Sequence, residues 1–157
     1  MIFLISMLLT FAIMEGVTWL THKYVMHGFL WSLHKDHHHK DHKSWFERND
    51  VFFLMYAIPS WLCIMLGMMN QNLLPVWIGF GIAAYGLAYF LIHDVYIHRR
   101  FKWLRDIEHP YFYAIRRAHK IHHKHLGKEH GECFGMLLVP IRFYIESAKQ
   151  FKKQERA

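Results

Sequence analysis

The sequence predicts an all-α, integral-membrane helical bundle with a histidine-rich two-metal site at its cytoplasmic face. Three observations lead there. Three apolar runs are long enough to cross a bilayer: Ile2 to Thr21, whose one charge is Glu15, and the uncharged Val51 to Met69 and Leu73 to Ile92. Outside these runs, the charges fall on one side of the membrane. Finally, a histidine pattern occurs twice. His34, His37 and His38 form a His-x-x-His-His pentad that returns as His119, His122 and His123, and each pentad follows a pair, His22 with His27 and His93 with His98.

The chain of 157 residues is 54% hydrophobic, with six Trp, eight Tyr and thirteen Phe, so one membrane-embedded domain over 1–157 is expected. The first run lacks a basic leading segment and continues unbroken into His22 and His27, so it reads as a span and not as a signal peptide. It carries Glu15, Thr18 and His22 on one stripe. A carboxylate at that depth is expected to make a structural hydrogen bond inside the bundle. His22 and His27 stand roughly 140° apart on an α-helix, so they aim at different points unless the helix breaks near Gly28.

All 19 Lys and Arg lie between Thr21 and Val51 or after Ile92, while the connection between the second and third runs is Asn70-Gln71-Asn72. The basic side is the cytoplasmic side, which puts the N-terminus and that turn outside. All fifteen histidines share the basic side, so both histidine sets meet at one face. A net charge of +7 without any nucleic-acid-binding module points to lipid headgroups and not to nucleic acid. Cys63 and Cys133 suggest neither a disulfide nor a cysteine zinc site.

Asn49-Asp50 is placed to cap the second span, which Pro59 is expected to kink. In the third span Gly79, Gly86 and His93 recur at seven-residue intervals, with Tyr85 and Tyr89 beside them, marking either close helix packing or a substrate groove. This helix is expected to continue through His98. The stretch Arg99 to Arg117 is basic and aromatic, as suits an interface, and Pro110 opens the helix of the second pentad. Phe134 to Ile145 is apolar but short, and reads as an interfacial or partly inserted segment. The charged tail from Lys149 is expected to be disordered.

On an α-helix, positions i, i+3 and i+4 share a narrow sector, so each pentad is expected to aim three imidazoles at one point. One ion rarely takes more than six ligands, and ten imidazoles in two matching sets suggest two metals side by side. Five further histidines, His39, His42, His109, His125 and His130, fall outside the paired motifs and read as interfacial residues. Asp36 and Asp94 adjoin the motifs, where each could orient an imidazole or serve as surface charge.

The segments THKYVMHGFLWSLHKDHH, FLIHDVYIHRRFKW and AHKIHHKHLGKEHGECFGMLLVP resemble the bacterial non-haem carotene hydroxylases, within the fatty acid hydroxylase and sterol desaturase superfamily. The likeness runs from about Met14 to Pro140. It implies two iron ions held by His22, His27, His34, His37, His38, His93, His98, His119, His122 and His123, with O2 as cosubstrate and reduced ferredoxin or a similar donor for electrons. It also implies hydroxylation at C3 of both β-ionone rings, from β-carotene through β-cryptoxanthin to zeaxanthin. Four membrane helices are implied too, the fourth falling on the Phe134 region. Elementary chemistry agrees, since an unactivated C–H bond lies beyond any side-chain acid, base or nucleophile and requires a redox metal. A ketolase, or a lipid hydroxylase or desaturase of the same superfamily, would share that chemistry. A metal transporter is a different class, and would need ligands near the bilayer midplane, where Glu15 is the one charge.

Overall fold

In the computed structural model, which describes residues 1–39 and 43–154, every regular element is helical. His42 lies outside the described residues. Three helices are long and apolar enough to cross a membrane. The first is α1 (Ile2–Leu20), which runs into a π-helical segment, π1 (Thr21–Phe29). The second is α3 (Phe52–Met69), entered through a 3-10 turn at Arg48–Val51, and the third is α4 (Leu73–Phe90), which runs into π2 (Leu91–Ile97). Between the first two lies the short α2 (Trp31–His38), which carries the first pentad. The second pentad spans the end of α5 (Pro110–His122), and α6 (Ile141–Gln154) packs on α5.

Helix α4 is central to the spanning part, with α1 and α3 packed against it. Its glycines make this possible: a Cβ at Gly79 would fall 2.6 Å from Ile64 Cγ1 and 2.7 Å from Ser60 O on α3, and one at Gly81 would fall 2.7 Å from Met7 O on α1. Ser60 Oγ donates to Gly79 O at 2.8 Å across the same contact. Gly79 therefore marks helix packing. The sharp α3–α4 turn places Gln71 at φ 52°, and Asn72 caps α4 by accepting Leu74 N–H at 3.1 Å. Many apolar side chains of α1, α3 and α4, such as Leu4, Leu8, Phe53 and Leu87, point outward, as lipid contact requires.

Two segments differ from the sequence expectation. The stretch expected to be one interfacial unit, Phe134 to Ile145, divides at Pro140: residues 134–140 are the end of an irregular strap over 124–140, and α6 begins at Ile141. No fourth spanning helix occurs among the described residues. The tail expected to be disordered from Lys149 is helical as far as Gln154, because Phe143 and Ser147 bury one face of α6. Pro110 does open α5, and His109 caps it by accepting Tyr111 N–H at 3.2 Å.

Candidate metal centre

The C-terminal ends of α1 and α4 and the N-terminal end of α3 lie together, and α2, α5 and the strap gather over them. Two clusters of imidazoles form there. The first holds His22, His27, His34, His38 and His122; the second holds His37, His93, His98 and His119. Within each cluster one nitrogen per residue lies within 4.8 Å of all the others.

The pairs converge because their segments are π-helices. Backbone N–H groups bond five residues back, Leu30 N to Val25 O at 3.0 Å and His98 N to His93 O at 2.9 Å, so residues five apart come onto one face. His22 joins His27 in this way, and His93 joins His98. The backbone does break at Gly28 (φ −99°, ψ −122°), which turns the chain from π1 towards α2. The pentads, by contrast, do not each aim at one point. His34 and His38 enter the first cluster while His37 enters the second; His119 enters the second while His122 crosses to the first. Positions i+3 and i+4 lie on opposite sides of position i, roughly 100° apart, so a pentad set between two sites serves both. His123 lies at the seam. Its ring stacks on His38 at 4.5 Å and stands 4.6 Å from His119 and 4.8 Å from His37, and its buried Nε2 has no hydrogen-bond partner.

The remaining ring nitrogens decide what the clusters can hold. Around the first, His22 Nδ1 faces Phe134 O (3.1 Å), His27 Nδ1 faces Lys128 O (3.2 Å), His38 Nδ1 faces His125 O (3.1 Å) and His122 Nδ1 faces Glu132 O (2.8 Å). All four carbonyls belong to the 124–140 strap. The fifth ring, His34, places Nδ1 on Asn49 Oδ1 at 2.6 Å. The second cluster is backed by carboxylates: Glu47 lies 2.7 Å from His37 Nδ1, and Asp94 lies 3.3 Å from His93 Nδ1.

Each of these oxygens accepts, so each Nδ1 carries the proton and leaves a lone pair on Nε2. The Nε2 atoms then meet one another: His34 stands 3.2 Å from both His22 and His38, His27 stands 3.2 Å from His122, and His37 stands 3.0 Å from His93. Lone pairs at that separation repel unless a cation lies among them. With metal–nitrogen bonds of about 2.1 Å, adjacent ligands of one ion stand about 3 Å apart and opposite ones about 4 Å, so these donor sets fit metal ions. Burial, more than any neighbour, lowers the pKa of His34 and His38 to about 2, of His122 to about 3 and of His123 to about 2. They remain neutral ligands at any physiological pH.

Several supporting residues escaped sequence reading. Glu47 and Asn49 each hold an imidazole, although Asn49-Asp50 reads only as a cap of the second span; Asp50 accepts Glu47 N–H at 3.1 Å and so caps the 3-10 turn that leads in, while α3 itself has no side-chain cap. Asp94 orients His93, one of the two roles open to it. Asp36 is buried and accepts the backbone N–H groups of Arg48 and Asn49, fixing the loop that presents Asn49 to His34. Phe134 covers the first cluster, with its ring 5.1 Å to 5.4 Å from those of His22, His27 and His122. Glu15 accepts the N–H groups of Met136, Leu137 and Leu138 at 2.9 Å to 3.1 Å and the Tyr85 hydroxyl at 2.6 Å, a structural role as expected. Of the histidines set apart, His39, His109, His125 and His130 belong to neither cluster.

The profile of the fatty acid hydroxylase family matches residues 7–140. The chain is 40% identical over 128 residues to the beta-carotene hydroxylase of Pantoea ananas, covering 81% of this chain and 71% of that one. It is 33% identical over 132 residues to the beta-carotene hydroxylase of Paracoccus sp. (strain PC1), covering 83% and 80%. The chloroplastic beta-carotene 3-hydroxylase of Gentiana lutea is 34% identical over 122 residues, 76% of this chain and 37% of that longer protein. No solved structure matches the chain.

Proposed function

The chain belongs to the fatty acid hydroxylase family, and on that premise we propose that it is a carotenoid hydroxylase acting at C3 of β-ionone rings, converting β-carotene through β-cryptoxanthin to zeaxanthin. The observation that carries this reading is the pair of buried imidazole clusters, in a chain up to 40% identical to beta-carotene hydroxylases over most of its length. The clusters sit at the ends of the spanning helices and not at mid-bilayer, which favours an oxygenase over a metal transporter.

In this reading the ten imidazoles hold two iron ions, with His22, His27, His34, His38 and His122 around one, His37, His93, His98 and His119 around the other, and His123 at the seam. Iron in such a ligand set supplies, from O2 and electrons of a ferredoxin-type donor, the oxidant that an unactivated C–H bond requires. The chain's own residues do the rest. Strap carbonyls, Asn49, Glu47 and Asp94 fix the proton on Nδ1 of seven of these rings, His22, His27, His34, His37, His38, His93 and His122, and aim their Nε2 atoms inward, while Phe134 and Tyr89, whose ring lies 4.8 Å from that of His93, keep water off the rings. A polyene as long as the ~30 Å hydrocarbon core can lie among lipids with one ring at this face, assigned to the cytoplasmic side of a bacterial inner membrane.

Expression in cells that accumulate β-carotene tests the reading. Pigment analysis should find β-cryptoxanthin and zeaxanthin, each step adding one oxygen atom. Ketones or new double bonds would transfer the chain to the ketolase or desaturase branch, and unchanged β-carotene beside abundant membrane protein would contradict carotenoid hydroxylation.

A further inference from the structure

The connection before α3 and the segment after π2 are fastened together by one side chain, Arg100. Its Nη1 lies 2.7 Å from Asp50 Oδ1 and 2.8 Å from Asp94 Oδ1, and its Nη2 lies 2.8 Å from Asp50 Oδ2 and from Trp45 O. The guanidinium also lies over the Trp45 ring, 4.6 Å from its centroid. The Arg100 side chain is 12% exposed and that of Asp94 16%. Arg99 precedes it in the left-handed region at φ 55°, and Arg100 N–H returns to Asp94 O at 2.9 Å, so the backbone itself folds back to deliver this group.

Two routes lead from Arg100, and both end on the second cluster. Asp94, held by Nη1, accepts from His93. Asp50, held by both Nη atoms, accepts the N–H of Glu47, whose carboxylate accepts from His37. Asn49 lies in the same loop but is fastened separately: its N–H goes to Asp36, and the first cluster's other Nδ1 acceptors come from the strap. Without the guanidinium, the Asp50 and Asp94 carboxylates would face each other without the cation that joins them, and their repulsion would turn Asp94 from His93 and loosen the Asp50 contact that sets Glu47 against His37. A planar fork that reaches three acceptors at once has no substitute in lysine.

We propose that Arg100 is a positioning residue for the second metal site alone, acting through Asp94 on His93 and through Asp50 and Glu47 on His37. This rests on the two-metal reading of the clusters. Residues that orient metal-bound histidines typically change metal affinity about 10–100-fold when replaced. Arg100→Met should therefore weaken one of the two sites by that factor and leave the other as it was.

The test is iron titration of the full-length detergent-purified protein, with bound metal counted per chain for the parent, Arg100→Met and Arg100→Lys. The parent should bind two. At iron concentrations that just fill the parent, Arg100→Met should bind one and Arg100→Lys an intermediate amount. Adding His119→Ala to Arg100→Met should leave the count at one, whereas adding His34→Ala should bring it to zero. The retained ion is itself the evidence of folding. Asp94→Asn, which keeps side-chain size and an acceptor, provides a milder variant and should weaken the same site. Two full-affinity ions in Arg100→Met would overturn the proposal, and so would equal weakening of both sites in Arg100→Met and Asp94→Asn. A parent count of one would instead overturn the two-metal reading beneath it.

Discussion

Glu15 lies within a spanning helix and holds the strap above the first cluster. Its carboxylate accepts three consecutive N–H groups and the Tyr85 hydroxyl, and the strap it grips carries the Phe134 and Glu132 carbonyls that face His22 and His122. A glutamine there would keep the shape but turn an N–H2 group towards backbone donors, leaving buried N–H groups unpaired at a cost of about 1–3 kcal/mol. Glu15→Gln should therefore melt earlier in detergent and bind iron more weakly at the first site; an unchanged melting temperature would show that the strap is held by other means. The gathering of the paired-motif histidines is legible in the sequence because their spacing repeats, and so is the structural reading of Glu15. Glu47, Asn49 and the strap carbonyls are not. A backbone carbonyl leaves no trace in residue identity, and a glutamate ten residues from His37 reaches it only once the chain has turned.

At the level of elements, the main divergence from the sequence reading is helical pitch. An α-helical period sends His22 and His27 to different points, and the two π segments bring them together because each turn takes up an additional residue. The pentads diverge for a different reason: spacing alone shows that imidazoles share a face but not that a boundary between two sites runs through it. Packing of the spans was more legible. Gly79 lies against Ile64 and Ser60, whereas a Cβ at Gly86 meets nothing within 4 Å. Gly79→Ala should accordingly push α3 from α4 and cost about 1–3 kcal/mol, while Gly86→Ala should leave thermal stability near that of the parent. Equal melting temperatures for the two variants would count against the packing described.

For the whole molecule, apolar length and charge asymmetry suffice to arrange three spans, and the arrangement gathers both histidine clusters at one end of them. The sidedness follows from the placement of Lys and Arg, which predicts that cysteines introduced at Asn70 or Asn72 react with an impermeant thiol reagent from outside the cell; reaction only from the cytoplasmic side would invert the topology. Both clusters draw on both pentads, so the site exists only when π1, α2, π2 and α5 are assembled, and the chain is expected to take up metal as a unit. The central claim is that these ten histidines hold two metals side by side. The most direct measurement is the iron content of protein purified from iron-replete cells. Two ions per chain, falling in His122→Ala through loss at the first cluster and in His119→Ala through loss at the second, is the result expected. A reproducible value of one in the parent, with both pentads intact, would contradict it.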